Sequence, residues 1–248
     1  MIHHSFAQQV NLPLLYEKIQ GNDLSFEQQV SDFFAADGKG LNVTLPFKQR
    51  AYVMADIRTE RCIKAGAANT LWYENNKLYA DNTDGIGLMR DLSRYISLAK
   101  ARIVILGAGG AARGIIYPLL AAKPQQLIVA NRSLGPLEQL QSEIAEINCI
   151  SLTHLEGEFD VLINATSAGV LGEGVVVPAA IMMNHPFCYD LAYRYKALTP
   201  FVAYAQQLRC KAVDGLGMLV EQAAESFYLW HGVKPDTEVV LKQLHAQD

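Results

Sequence analysis

Gly107-Ala108-Gly109-Gly110-Ala111-Ala112 stands between an apolar run that ends at Leu106 and a stretch with helical spacing, which is the placement of a dinucleotide-binding turn. In that pattern Gly107 permits a tight turn, Gly109 lets the backbone approach a pyrophosphate, and Ala112, in the last small position, lets helix and strand pack closely. Free N–H groups in the first turn of the helix then face the anion, with Ala108, Gly110 and Ala111 completing the loop.

The following strand supplies the second clue. A site for NAD usually carries a carboxylate at the end of that strand, bonded to the ribose hydroxyls. Here the strand ends in Asn131-Arg132-Ser133. A guanidinium with two neutral polar groups suits a 2′-phosphate, where a charge-assisted contact is worth about 1.5 to 3 kcal/mol, and a carboxylate would repel it. NADP is therefore expected in preference to NAD. Without the glycine loop before it, Arg132 would read as a solvated residue at a strand end.

Other polar groups cluster earlier in the chain. Asn42-Val43-Thr44-Leu45-Pro46-Phe47-Lys48 reads as a strand that ends at a proline, bringing an amide, a hydroxyl and an ammonium together, with Asn42 and Thr44 on one side. Ala68-Asn69-Thr70 and Asp81-Asn82-Thr83-Asp84-Gly85 add short polar groups after small residues. Taken singly, each of these is a turn or a cap, and a lone lysine is a solvated lysine.

The elements that must position these groups are regular from Arg102 onward. Strands are expected at Arg102 to Leu106, Gln126 to Ala130, Cys149 to Leu152, Phe159 to Ile163 and Phe187 to Leu191, with helices at Gly110 to Ala122 and Leu137 to Ile147. That alternation predicts a parallel sheet with helices on both faces. Before Arg102, turn signals at Gly21-Asn22, Asp37 to Gly40 and Asn75-Asn76 mark a separate α/β unit. Two further helices, Gly217 to Trp230 and Asp236 to His245, are separated by Gly232 and Pro235.

Composition narrows the function class. The 248 residues are half apolar and 19% charged, enough for buried cores and too apolar for disorder. Net charge is −4 and the basic residues are scattered, so no nucleic-acid surface is expected. Apolar runs such as Ile115 to Ala122 fall well short of the roughly 18 to 20 residues of a membrane helix. No secretory leader is evident at Met1 to Phe6, so a cytoplasmic location is expected. Cys62, Cys149, Cys188 and Cys210 form no CxxC pair, and no metal site is expected.

Read together, these segments resemble the shikimate dehydrogenase family in order and spacing: Asn42 to Lys48, Gly66 to Asn69, Asn82 to Gly85, Gly107 to Ala112, Asn131 to Ser133, Asn164 to Gly169, and Asp214 to Met218 with Gln222, Trp230 and His231. The resemblance implies reversible, NADP-dependent hydride transfer at C3 of a ring, interconverting 3-dehydroshikimate and shikimate. Lys48 and Asp84 match the catalytic pair. Thr44, Asn69, Asp84 and Gln222 match ligands of the polyhydroxylated ring, and Tyr193 a tyrosine that borders it. Asn164 to Ser167, Leu191 and Gly215 match residues lining the cofactor near the nicotinamide. Taken alone, Gln222 reads as an ordinary surface residue of its helix.

The implied fold is two-domain α/β. Residues 1 to 83 with 218 to 248 form a smaller α/β substrate domain completed by C-terminal helices, and residues 84 to 217 a Rossmann-type NADP domain. The active site is expected in the cleft between them, in a monomer or homodimer acting on a small molecule. Two departures stand out. The family opens with a strand and two serines that bind the substrate carboxylate, whereas this sequence starts at the Ile2-His3 match, and Ser5 lies beyond the matching point. Weak substrate binding is expected from that loss, with cofactor binding less affected. Pro136 stands near the place of a second arginine for the 2′-phosphate, so NADP preference is expected to be modest. The rival readings are a quinate/shikimate dehydrogenase with relaxed cofactor use and a nucleotide-binding relative without catalysis.

Overall fold

A computed structural model describes residues 1–166 and 177–246 of the chain. It divides into two compact units, Met1–Gly87 with Leu219–Asp248, and Leu88–Met218.

The first unit is built around a four-stranded sheet of order β1-β3-β4-β2, where β1 is Gly40–Asn42, β2 Ile57–Arg58, β3 Thr70–Glu74 and β4 Lys77–Asp81. β3 and β4 form a hairpin closed by Asn75 and Asn76, both at positive φ, with Glu74 opposite Lys77. A two-residue turn with both residues left-handed twists in the sense the strands need, and asparagine tolerates that conformation. Helices α1 (Ile2–Gln9), α2 (Phe26–Ala35), α3 (Lys48–Met54) and α4 (Glu60–Ala65) accompany the sheet. α4 shows why the sequence stops where it does: the Thr59 hydroxyl accepts from Cys62 N, and Gly66, at φ +60°, returns its N–H to Cys62 and Ile63. Phe26, Val30, Ala51, Cys62, Leu71 and Leu78 are among the buried side chains of this core.

The strand expected to end at Pro46 stops earlier, at Asn42. β1 ends at Asn42, the Thr44 carbonyl accepts from Phe47 N, and Lys48 opens α3. Pro46 has no N–H to give a ladder, so the chain turns there. Lys48 is therefore presented from the first turn of a helix and not along a strand face.

The second unit carries a six-stranded sheet of order β10-β9-β8-β5-β6-β7, all its pairings parallel. β5 is Arg102–Leu106, β6 Gln126–Asn131, β7 Asn148–Ser151, β8 Val161–Asn164, β9 Phe187–Asp190 and β10 Ala212–Val213. Alternate residues of β5 enter different cores: Ile103 and Ile105 pack on one face, Val104 and Leu106 on the other. Burial on both faces is why the inner strands of this sheet read as unbroken apolar runs. From β5 the chain winds outward to β7, then crosses to β8 on the other side of β5. The topological switch point lies between β5 and β8, where open parallel sheets bind ligands beyond their strand ends.

Helices α6 (Gly110–Ala121), α7 (Leu134–Glu143), α8 (Ala179–Met182) and α9 (Pro200–Gln207) accompany this sheet. α7 starts earlier and stops earlier than its apolar spacing predicts. Ser133 precedes it, Pro136 sits in its first turn where a missing N–H costs nothing, and Ile144 is extended at φ −131°. Ile144 and Ile147 are still buried, but as part of the return to β7. Two helices cross the unit boundary in sequence, α5 (Asp84–Leu92) and α10 (Leu216–His231); α11 (Thr237–His245) follows, capped by the Asp236 carboxylate. Among the described residues no helix is long and apolar enough to cross a membrane.

Candidate active site

In the first unit, four sequence-predicted residues meet in one hydrogen-bonded network. Lys48 Nζ lies 2.6 Å from Asp84 Oδ2. Asp84 Oδ1 accepts from Asn69 Nδ2 at 2.9 Å, and the same amide nitrogen lies 3.1 Å from Gln222 Oε1 and 2.8 Å from Thr83 Oγ1. Each group comes from a different element: Lys48 opens α3, Asn69 precedes β3, Asp84 opens α5 and Gln222 lies in α10. The loop before α5 is held in place by its own side chains, since Asn82 Oδ1 accepts from Asp84 N. Asp81 adds a bidentate pair with Arg61, at 2.7 and 2.6 Å, and accepts from Asn82 N.

The lysine and the aspartate retain 23% and 17% of their side-chain exposure, so both are shielded but reachable. An ammonium clamped by a carboxylate can hand a proton to an oxygen placed beside it, and the carboxylate fixes its direction. Asn69 is oriented from behind. Its carbonyl accepts Thr83 N at 2.8 Å and the Thr70 hydroxyl at 2.9 Å, so the NH₂ must face Asp84 and Gln222. A flipped amide would set donor against donor at the Thr83 backbone.

Thr44 is exposed on the turn before Lys48 and makes no side-chain hydrogen bond among the described residues. Tyr193 belongs to the second unit and is 46% exposed. Sequence reasoning assigns no role to Thr70 and does not single out Ser226, although both are fully buried in this network. Ser226 has one available signal: it follows Gln222 by four residues and so shares its helix face.

The second unit holds the nucleotide-type loop. Gly107 has φ +102°, and a Cβ there would stand 3.1 Å from the Ala165 backbone, so glycine is required on both counts. A Cβ on Gly109 or Gly110 would meet nothing within 4 Å, which leaves the backbone at the start of α6 open to an approaching group. Gly109 is the N-cap residue and offers no side chain to cap the helix, so the first N–H groups remain for an anion. Ala108 is buried and Ala111 exposed; Ala112, at zero exposure, seats the helix on the sheet.

Asn131 ends β6, with its amide donating to Ser133 O at 3.0 Å. Arg132 and Ser133 are exposed, and Arg132 holds no ion pair among the described residues, in contrast to Arg113, which pairs with Glu143. Beyond β8 and β9 a buried carboxylate organises the loops. Asp190 accepts from Thr199 Oγ1 at 2.6 Å, Asn164 Nδ2 at 2.9 Å and Ala192 N at 3.1 Å. Burial raises its pKa, opposed by these bonds from Thr199, Ala192 and Asn164. Gly215 packs so closely on the next turn that a Cβ would fall 2.4 Å from Leu191 O, and Leu191 N donates to Asn164 O. These contacts place Asn164, Leu191 and Gly215 in one cluster beside the glycine loop's strand. Ser167, expected near the cofactor, and Ala168 and Gly169 of the matched motif lie outside the described residues.

The comparisons with known proteins agree along the chain. Family models described as the shikimate dehydrogenase substrate binding domain, shikimate / quinate 5-dehydrogenase and the shikimate 5′-dehydrogenase C-terminal domain match residues 1–71, 90–193 and 215–245. A shikimate dehydrogenase (NADP(+)) of Legionella pneumophila strain Lens is 58% identical over 246 residues, covering 99% of this chain and 93% of that protein. Among solved structures, an Ael1 enzyme from Pseudomonas putida matches with a TM-score of 0.91 at 43% identity, over 98% of this chain and 92% of that one. The shikimate 5-dehydrogenase of Thermus thermophilus in complex with NADP(H) and shikimate matches with a TM-score of 0.88 at 27% identity, over 99% and 92%. With this network, this loop and this degree of likeness, the chain belongs to the shikimate dehydrogenase family.

Proposed function

We propose that the chain catalyses the NADP-dependent, reversible reduction of 3-dehydroshikimate to shikimate. The observation that carries this reading is the Lys48–Asp84 pair at 2.6 Å, bordered by the amides of Asn69 and Gln222, in a member of this family. When bound, the nicotinamide supplies the hydride in reduction and takes it up in oxidation.

The residues of the chain do the rest. In reduction, the Lys48 ammonium donates a proton to the oxygen on C3 as negative charge develops there, and in oxidation the amine takes that proton back. Asp84 holds Lys48 in place and accepts from a ring hydroxyl. Asn69 and Gln222 recognise further hydroxyls, with Thr44 and Tyr193 bordering the ring. An analogue lacking a recognised hydroxyl would leave a polar group unpaired, which is how such sites discriminate sharply.

Gly107 to Ala111 would hold the pyrophosphate against the start of α6, with Asn131, Arg132 and Ser133 at the 2′-phosphate and Leu191 and Gly215 near the nicotinamide. The Arg132 guanidinium, without an ion pair among the described residues, fits that anion. The test is formation of reduced nicotinamide on mixing the protein with shikimate and NADP⁺, with quinate and NAD⁺ in parallel. Faster turnover of shikimate with NADP⁺ than of quinate or with NAD⁺ is expected. Equal turnover of quinate with NAD⁺ would replace this reading with the broader quinate activity, and no turnover of either would leave a nucleotide-binding protein.

A further inference from the structure

Behind the Asn69 amide lies a chain of buried hydroxyls that no part of the proposed reaction uses. Ser226, Thr70 and Thr83 are each at zero exposure. Ser226 Oγ stands 2.7 Å from Thr70 Oγ1, 3.3 Å from Thr83 Oγ1 and 3.0 Å from Asn42 Nδ2, and 3.1 Å from the carbonyl of Gln222 one helical turn earlier. It therefore touches groups from β1, β3, the start of α5 and its own helix, α10.

The direction of each bond follows from proton counting. Asn69 Oδ1 can only accept, so the single proton of Thr70 is committed to it at 2.9 Å. Ser226 then has one proton for two acceptors, Thr70 Oγ1 at 2.7 Å and the Gln222 carbonyl at 3.1 Å, and it is shared between them. Its lone pairs receive the Asn42 amide, whose own carbonyl accepts from Tyr16 OH at 2.8 Å and faces His3 Nε2 at 3.0 Å. Burial lowers the His3 imidazole to about 4, so at neutral pH the ring is uncharged and Nε2 carries the proton for Asn42. The result is a connected relay: Asn42 to Ser226, Ser226 to Thr70 and to the Gln222 carbonyl, Thr70 to Asn69, Asn69 to Asp84.

We infer that Ser226 is a positioning residue for substrate recognition, pinning α10 to β1 and β3 so that Gln222 and Asn69 present their amides at fixed places beside Asp84. This rests on the proposed function for its kinetic consequence, but the relay itself does not. A hydroxyl has no packing need in this place that alanine would fail to meet apart from one small atom. What alanine loses is a donor to Thr70 and an acceptor for Asn42 in the interior of the unit.

The experiment compares the full chain with Ser226→Ala, Thr70→Val and Thr70→Ser in shikimate oxidation by NADP⁺. Ser226→Ala and Thr70→Val are each expected to lower kcat/KM for shikimate about tenfold while leaving KM for NADP⁺ unmoved. Thr70→Ser, which keeps the hydroxyl, should recover most of the loss, and the double variant Ser226→Ala, Thr70→Val should be little worse than either single one because both cut the same relay. Wild-type values in Ser226→Ala, or equal rises in both KM values, would overturn the assignment. If the wild type does not oxidise shikimate, the proposed function fails, and the relay is read instead from the Asn69 side-chain amide protons by NMR. Slow exchange in the wild type that quickens in Ser226→Ala supports the relay; unchanged exchange sinks it.

Discussion

At the scale of residues, the site depends on which way donors and acceptors point. Lys48 and Asp84 are close enough for a charge-assisted bond, and Asn69 holds the second carboxylate oxygen. Replacing Lys48 with methionine keeps the stem and removes the proton, so kcat should fall by about 10² to 10⁴ with a smaller change in shikimate KM. A loss confined to KM, measured by steady-state kinetics, would assign Lys48 to binding alone. His3 offers a second prediction. Its imidazole is lowered from 6.5 to about 4 by burial, so the unfolded chain takes up a proton that the folded one refuses. The stability tied to its neutral form is whole above about pH 6.5, declines as pH falls toward 4 and levels off below, an effect of about 3 kcal/mol. Urea unfolding across that range should show this component in the wild type and lack it in His3→Gln; identical pH profiles would contradict it.

At the scale of elements, local sequence is most informative where one segment decides its own shape. β5, β6, β8 and β9 are apolar because both faces are covered, and the positions of β5 to β9 are legible to within about two residues. Asn75-Asn76 specifies its hairpin through left-handed backbone alone. Spacing overstates the reach of α7 because Leu137, Leu140, Ile144 and Ile147 keep helical intervals although only the first two are in the helix; burial requires apolar residues in either conformation. Alternation of Asn42 and Thr44 suggests a strand as far as Pro46, whereas β1 ends at Asn42 and Lys48 opens α3. The end of β6 carries the prediction at this scale. Arg132→Ala should raise KM for NADPH several-fold, in line with loss of one charge-assisted contact, and leave KM for NADH nearly unchanged. Equal effects on the two cofactors would remove Arg132 from the 2′-phosphate.

At the scale of the whole molecule, folding and ligand binding are linked. A cofactor that binds only the folded chain, at about a hundred times its Kd, should add about 2.7 kcal/mol to the free energy of unfolding. Thermal unfolding with NADP⁺ should therefore shift upward with concentration, and NAD⁺ at equal concentration should shift it less. Equal shifts would mean that the loop binds dinucleotides without reading the 2′-position. The sequence by itself determined the parallel sheet, the glycine turn and the polar segments worth watching, because strand burial, positive φ and turn chemistry are properties of short stretches of chain. Only the tertiary structure brought Lys48, Asn69, Asp84 and Gln222 into one network and set Ser226 behind it, since residues up to 184 positions apart, as Asn42 and Ser226 are, meet only when separate elements pack. Local pattern carries no record of that packing; the direction of a hydrogen bond is decided by the partner across the core.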